Sequence, residues 1–202
     1  MNLLEQVHER YVYGRRIRRL SAILASLVPP DCSLLDVGCG EGRLAWSLLE
    51  RRPDLNIEGV DILVREKACV PVKAFDGANL PYSEASFDGV MLVDVLHHTH
   101  NPLSLLREAV RVSRRWLVVK DHVLAGPAAA ARLRFMDDVG NARHGVSLPY
   151  NYLGAGEWAA LRHELNVKVA TEFVKLYLYP WPMDYVFGAG LHFATLWERA
   201  GR

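Results

Sequence analysis

Apolar positions along the chain change their spacing several times, and each change marks an element. Leu3, Leu4, Val7, Tyr11, Ile17, Leu20, Ile23, Leu24 and Leu27 follow helical spacing over residues 3–27, and Pro29-Pro30 stops the run. Leu34-Leu35-Asp36-Val37 reads as a short strand. Three glycines follow it, Gly38, Gly40 and Gly42, and then a helical stripe of Leu44, Ala45, Trp46, Leu48 and Leu49 that ends near Arg52, before Pro53. Residues 56–61 form a strand that ends in the acid Asp61, and residues 71–75 form a third strand. The run 89–96 is apolar almost throughout, as a central parallel strand covered on both faces should be. A helix is predicted over 102–112, with Leu103, Leu106, Ala109 and Val110 facing in. A fifth strand is predicted over 114–120, with Asp121 and His122 just beyond its end. Helices over 128–139 and 157–165 and strands over 167–178 and 190–197 complete the pattern. Strands alternating with helices predict an α/β fold built on a largely parallel sheet.

The segment 123–155 is longer than a connection in such a fold requires. Its loop part, 140–152, holds polar and aromatic groups at high density, which argues for function rather than disorder. It is expected to be a substrate cap carrying Asn141, Arg143, His144, Tyr150, Asn151 and Tyr152. The plainer alternative is that Tyr150 and Tyr152 only pin the loop to the core. Trp181 and Tyr185, between the last two strands, either close the far wall of the pocket or cover the sheet edge.

Composition narrows the class. Half of the 202 residues are hydrophobic, 23% are charged and the formal net charge is +1, a profile that lacks the basic footprint of an extended nucleic-acid binder. The length suits a single domain over 1–202. The cluster Arg15, Arg16, Arg18 and Arg19 reads as a solvated helix face. Cys32, Cys39 and Cys69 are odd in number and scattered, as in a cytoplasmic protein with reduced thiols. No apolar run is long enough to span a membrane, and the charged N-terminus does not read as a signal peptide. His97, His98 and His100 invite a metal reading. Three ligands on one short turn rarely close a tetrahedral site, however, and no acidic or cysteine partner is evident nearby, so no metal is expected.

The turn after the first strand carries the most information. Strand, glycine-rich turn and helix open a nucleotide-binding βαβ unit: the glycines let a ligand approach bare backbone, and the helix start offers free N–H groups. A dinucleotide fingerprint spaces its glycines as G-x-G-x-x-G, whereas here the third glycine comes one residue early, with Asp36 two residues before the first. Asp36-x-Gly38-x-Gly40-x-Gly42 resembles motif I of the class I S-adenosylmethionine (SAM) methyltransferases. Residues 76–88, from Asp76-Gly77 through Leu80-Pro81-Tyr82 to Ser86-Phe87-Asp88, resemble a second motif of that family, with Gly77 where alanine is usual.

This resemblance covers about residues 32–122 by motif and the remainder by architecture. It implies a Rossmann-like doubly wound sheet of seven strands in the order 3-2-1-4-5-7-6, strand 7 antiparallel, with an N-terminal helix within 1–30 and the cap inserted after strand 5 over 123–155. It implies SAM as cofactor and S-adenosylhomocysteine as product. It also implies a cofactor site made of Asp36, Gly38, Gly40, Gly42, Asp61, Ile62, Asp76, Gly77 and Asp94. In this scheme Asp61 accepts from the ribose hydroxyls and Asp76 approaches the adenine amino group. By analogy the N-terminal helix lies over the cofactor, with Tyr11, Tyr13 and Arg15 in a lid. His97 is expected to line the acceptor pocket, His98 to orient the loop, and Asn141, Tyr150 and Tyr152 to touch the acceptor.

The expected reaction is methyl transfer to a small molecule, at a hydroxyl oxygen. Such a reaction needs alignment first and a base only where the acceptor must lose a proton. His144 and His122 are the candidate bases, with Asp121 to orient the imidazole. A SAM-binding partner subunit without catalysis is the alternative, and the glycine spacing speaks against an NAD-dependent oxidoreductase.

Overall fold

The computed structural model describes residues 13–141, 149–188 and 190–200. In chain order the elements are α1 (Gly14–Leu27), β1 (Ser33–Val37), α2 (Arg43–Leu49), β2 (Asn56–Asp61), β3 (Val72–Ala74), β4 (Phe87–Val93), α3 (Pro102–Val112), β5 (Ser113–His122), α4 (Ala129–Asn141), α5 (Ala155–Glu164), β6 (Val167–Phe173) and β7 (His192–Arg199). The strands make one sheet in the order β3-β2-β1-β4-β5-β7-β6. Pairing is parallel from β3 through β5, and β7 runs antiparallel to both β5 and β6. The expected sheet order and the reversed last strand are therefore present.

Each face of the sheet carries its own apolar layer. One layer joins Leu20, Leu24 and Leu27 of α1 and Leu48 of α2 to Leu34, Met91 and Val118 of the sheet. The other joins Leu105, Leu106 and Ala109 of α3 and Trp158 of α5 to Leu35, Val37, Leu92 and Leu117. Gly89 in β4 has a packing reason: a Cβ there would stand 2.1 Å from the Trp116 ring of β5. Arg52 closes the α1–β1 connection, its guanidinium donating to the carbonyls of Ala25, Val28 and Pro29 at 2.8–3.1 Å.

Several boundaries differ from the sequence reading, and one lies outside the described residues. Residues 3–12 of the first predicted helix lie outside the described residues, and its described part begins at Gly14. The predicted strand 167–178 stops at Phe173. The fifth strand runs two residues beyond its predicted end, because the antiparallel partner pairs Asp121 with Phe193 and His122 with His192. Asp121 and His122 are thus buried residues of the strand itself, 1% and 3% exposed. Among the described residues no helix is long and apolar enough to cross a membrane.

Candidate active site

β1 runs straight into the glycine turn. Gly38, Gly40 and Gly42 all take positive φ, and Gly42 forms the N-terminal cap of α2. A side chain on Gly40 would meet no atom within 4 Å, so that side of the turn faces open space. The Gly40 N–H donates to Asp61 Oδ2 at 2.7 Å, and Asp61 Oδ1 accepts from the Leu63 N–H at 2.9 Å. The last residue of β2 thus fixes the shape of the turn beside β1.

Asp36 lies one residue before the end of β1 and is 3% exposed. Burial, and after it the charge of Asp61, pushes its carboxyl up to about 8. Among the described residues no salt bridge reaches it. At the rim beyond β3, Asp76 accepts from the N–H groups of Ala78 and Asn79 and from the Asn79 amide, which lowers it to about 2. Ile62 is 61% exposed and sits 3.4 Å from where a Gly77 Cβ would point. The described positions of Asp36, Gly38, Gly40, Gly42, Asp61, Ile62, Asp76 and Gly77 therefore share the carboxyl ends of β1, β2 and β3. That is where open parallel sheets bind ligands.

Asp94 is paired with cations of the chain itself. It follows β4 at φ 57, and its carboxylate is held by the Arg16 guanidinium of α1 and the Lys120 ammonium of β5. Burial would raise it, but those two cations hold it well below the carboxylate range. Asp94 is thus a cation-paired anchor between α1 and the sheet, and its oxygens are committed to protein partners.

Next to it stands a buried histidine cluster. A one-turn 3-10 helix, Leu96–His98, follows β4. His97 Nδ1 lies 2.6 Å from Asp121 Oδ1, and His97 Nε2 lies 3.6 Å from Asp137 Oδ2 on α4. Burial opposes charge on His97, but the two carboxylates overcome it and raise the imidazole to about 10. Asp121, expected to orient a catalytic imidazole, orients that of His97 first. It also accepts from the Leu96 and His122 backbone N–H groups at 3.0 and 2.7 Å. His122 Nδ1 is 3.3 Å from His97 Nδ1, and its Nε2 is 3.9 Å from Asp94 Oδ1. Burial, with Lys120 and His97 as cationic neighbours, lowers the His122 imidazole. His98 is lowered to about 4 by burial and by His97.

The cap packs onto this cluster. The Tyr152 hydroxyl donates to Asp137 and the Tyr150 hydroxyl to Asp138, so both tyrosines pin residues 149–154 to α4. Asn151 binds the histidine turn from above: its N–H donates to the His97 carbonyl and its amide to the Thr99 carbonyl, both at 3.1 Å. Asn141 is the last residue of α4. Arg143 and His144 lie outside the described residues, as does Tyr11. His100 is exposed, and Asn101 caps α3 by accepting from the Ser104 N–H. Trp181 and Tyr185 are 87% and 78% exposed, so in this structure they cover neither the sheet edge nor a pocket wall.

Four participants escaped the sequence reading: Arg16, Lys120, Asp137 and His192. Lys120 carried a usable signal, since a charged residue closing an apolar central strand has both faces buried and needs partners. It is fully buried, between Asp94 and the His192 Nδ1 at 3.3 Å. A cavity of about 490 Å³, lined by Pro29, Glu84, Arg114, Trp116 and Arg199, opens at the amino ends of the strands, the wrong edge for a ligand in this fold.

Comparisons with known proteins agree with the glycine turn. The family described as a methyltransferase domain matches residues 5–171. A 27-O-demethylrifamycin SV methyltransferase from Amycolatopsis mediterranei is 31% identical over 111 residues, 48% of this chain. The match spans 40% of that relative's length. Among solved structures, a chain of the Haloferax volcanii Trm112 methyltransferase activator complex superposes with a TM-score of 0.71 at 12% identity, over 97% of this chain and 94% of that one. A SAM-dependent methyltransferase from Methanosarcina mazei gives 0.64 at 14% identity, over 88% and 96%. These two likenesses speak to the fold.

Proposed function

The chain belongs to the methyltransferase domain family, and from that premise we propose that it transfers a methyl group from SAM to a hydroxyl oxygen of a small-molecule acceptor. The observation that carries the cofactor reading is Asp36. It is a buried carboxyl with no counter-cation among the described residues, and it lies beside a turn whose Gly40 faces open space. Water would serve an exposed carboxylate, but one so deeply buried calls for a cation from outside. The amino group of the methionine portion fits that need.

When bound, SAM supplies a methyl group already activated on a sulfonium. The chain's own residues do the rest. Gly38, Gly40 and Gly42 admit the ligand to bare backbone. Asp61 keeps acceptor capacity on both oxygens for the ribose hydroxyls. Ile62 and Gly77 would flank the ring system, and Asp76 would stand near its amino group. A hydroxyl acceptor gives up its proton, and His122 is the described residue suited to take it, being kept neutral inside the cluster. His144 on the cap is the second candidate. The hydroxyl class is supported by the Amycolatopsis relative, whose name specifies methylation of an O-demethyl compound, and by the polar, aromatic cap.

Calorimetry with SAM on the wild type, Asp61→Ala and Gly40→Val tests the cofactor site. Loss of two neutral hydrogen bonds in Asp61→Ala should weaken binding by about 1–3 kcal/mol. Unchanged affinity in both variants, with the fold intact by circular dichroism, removes the site. Formation of S-adenosylhomocysteine with hydroxylated aromatic and aliphatic acceptors tests the reaction. SAM binding without product across that panel, or product only with amine acceptors, removes the hydroxyl reading.

A further inference from the structure

We propose that His97, His98 and Asp137 form a binding site for one divalent transition-metal ion, which fastens the cap helix α4 to the turn after β4. One donor atom from each residue lies within 4.8 Å of the others. His97 and His98 come from the turn Leu96–His98, and Asp137 comes from α4, so the fold brings an acid from a distant helix to the histidine turn.

The details match a ligand set better than a chance meeting. His97 Nε2 and Asp137 Oδ2 are 3.6 Å apart. That is too long for a good hydrogen bond, and close to the roughly 3.3 Å between two ligands on a tetrahedral ion with bonds of about 2.0–2.1 Å. The other nitrogen of His97 is bonded to Asp121 at 2.6 Å, the carboxylate–histidine pairing that fixes which nitrogen of a metal-bound imidazole faces the ion. Asp137 is oriented in turn by the Tyr152 hydroxyl. His98 keeps a buried Nδ1 with no hydrogen-bond partner, an unsatisfied group for which a bound ion would account.

Two imidazoles and one carboxylate form a donor set for Zn²⁺, Fe²⁺, Co²⁺ or Ni²⁺, with positions left over for water or an oxygen ligand, and not for the all-oxygen cages of Mg²⁺ or Ca²⁺. A neighbouring group, Asp94 with His97, Asp121 and His122, also meets the distance condition. It is a poorer site. Asp94 is already neutralised by Arg16 and Lys120, and Asp121 is filled by Leu96, His122 and His97. Because Asp137 lies on α4 and His97 on the turn after β4, both buried, a bound ion would hold the cap helix to that turn.

The test is binding itself, independent of turnover. The untagged full chain, stripped with chelator, is titrated with Co²⁺ while visible absorption is recorded, and then with Zn²⁺ in competition. The site predicts one equivalent of Co²⁺ with intense low-symmetry d–d bands that Zn²⁺ bleaches. It predicts affinity at least tenfold weaker in His98→Ala and in Asp137→Asn, and about 10–100-fold weaker in Asp121→Asn. His100→Ala, an exposed change in the same histidine run, should bind as the wild type does. Absence of stoichiometric binding would overturn the site and leave His97 as an imidazolium bridging Asp121 and Asp137. Wild-type affinity in His98→Ala and Asp137→Asn, or loss of binding in His100→Ala, would equally overturn it, the latter as chelation by the surface run.

Discussion

Asp61 stands beside Asp36 at the carboxyl ends of two adjoining parallel strands, and its charge adds to burial in keeping a proton on Asp36 up to about pH 8. The sign of the consequence follows from linkage. A carboxyl whose folded pKa is raised binds its proton more tightly when folded. The cofactor-free protein therefore loses stability as pH rises from the unfolded value near 4 to about 8, by at most about 1.4 kcal/mol per pH unit from this group. Asp36→Asn cannot ionise and lacks that loss. Urea unfolding of the two proteins between pH 5 and 9 should give curves that diverge with rising pH, the variant being the more stable at pH 8. Parallel curves would show that Asp36 is already ionised.

The same proton should leave when the cofactor arrives. An ammonium group next to Asp36 favours the carboxylate, so binding at pH 7 should release about one proton per site. Calorimetric binding enthalpies in buffers of different ionisation enthalpy measure that number directly. Asp36→Asn should bind SAM more weakly and release no proton from this position. Equal proton release in wild type and variant would place the amino group elsewhere.

Most of the sheet was legible because each strand announces itself by apolar run or alternation, and the glycine turn fixes where the ligand edge lies. The positions expected to hold the cofactor could be located along the chain for the same reason. These residues, 36–42, 61–62 and 76–77, each close a strand, and position along a strand can be counted in sequence. The buried cluster beyond β4 and β5 was not legible. Asp94 gave no sign that Arg16 and Lys120 would claim it, because that contact joins three elements far apart in the chain. His122 was placed just beyond the strand because the apolar run ends at Val119, whereas pairing with β7 extends the strand through it. Asp137 was invisible as a partner of His97, since only the packing of α4 against the turn brings it there.

The Arg16–Asp94 pair should decide whether α1 stays on the sheet. Arg16 and Asp94 side chains are 26% and 16% exposed, so the pair is largely but not wholly out of water. Removing one partner of a fully buried pair costs about 3–5 kcal/mol. Arg16→Ala should cost less, about 1–3 kcal/mol, because Lys120 still faces Asp94 and solvent reaches the edge. Thermal unfolding gives the magnitude, and limited proteolysis within residues 14–27 reports whether α1 loosens first. Full stability with unchanged cleavage would mean that apolar contacts from Leu20, Leu24 and Leu27 hold the helix alone.

His122 carries the sharpest chemical prediction. It is 3% exposed, its carbonyl accepts from the Trp158 indole at 3.0 Å, and its ring touches both His97 and His192, so its position is fixed by neighbours on three elements. His122→Asn keeps a polar side chain of similar reach but removes the basic nitrogen. A general base contributes typically 10²–10⁴-fold to rate. The variant should therefore lose about that factor in single-turnover formation of S-adenosylhomocysteine with a hydroxyl acceptor, while its SAM affinity by calorimetry stays at the wild-type value. His144→Asn, measured in parallel, separates the cap histidine from the strand histidine. If His122→Asn retains turnover within a few-fold and His144→Asn does not, the base is on the cap. If both retain it, the rate comes from aligning the acceptor with the methyl group, for which the fixed β4 and β5 ends suffice.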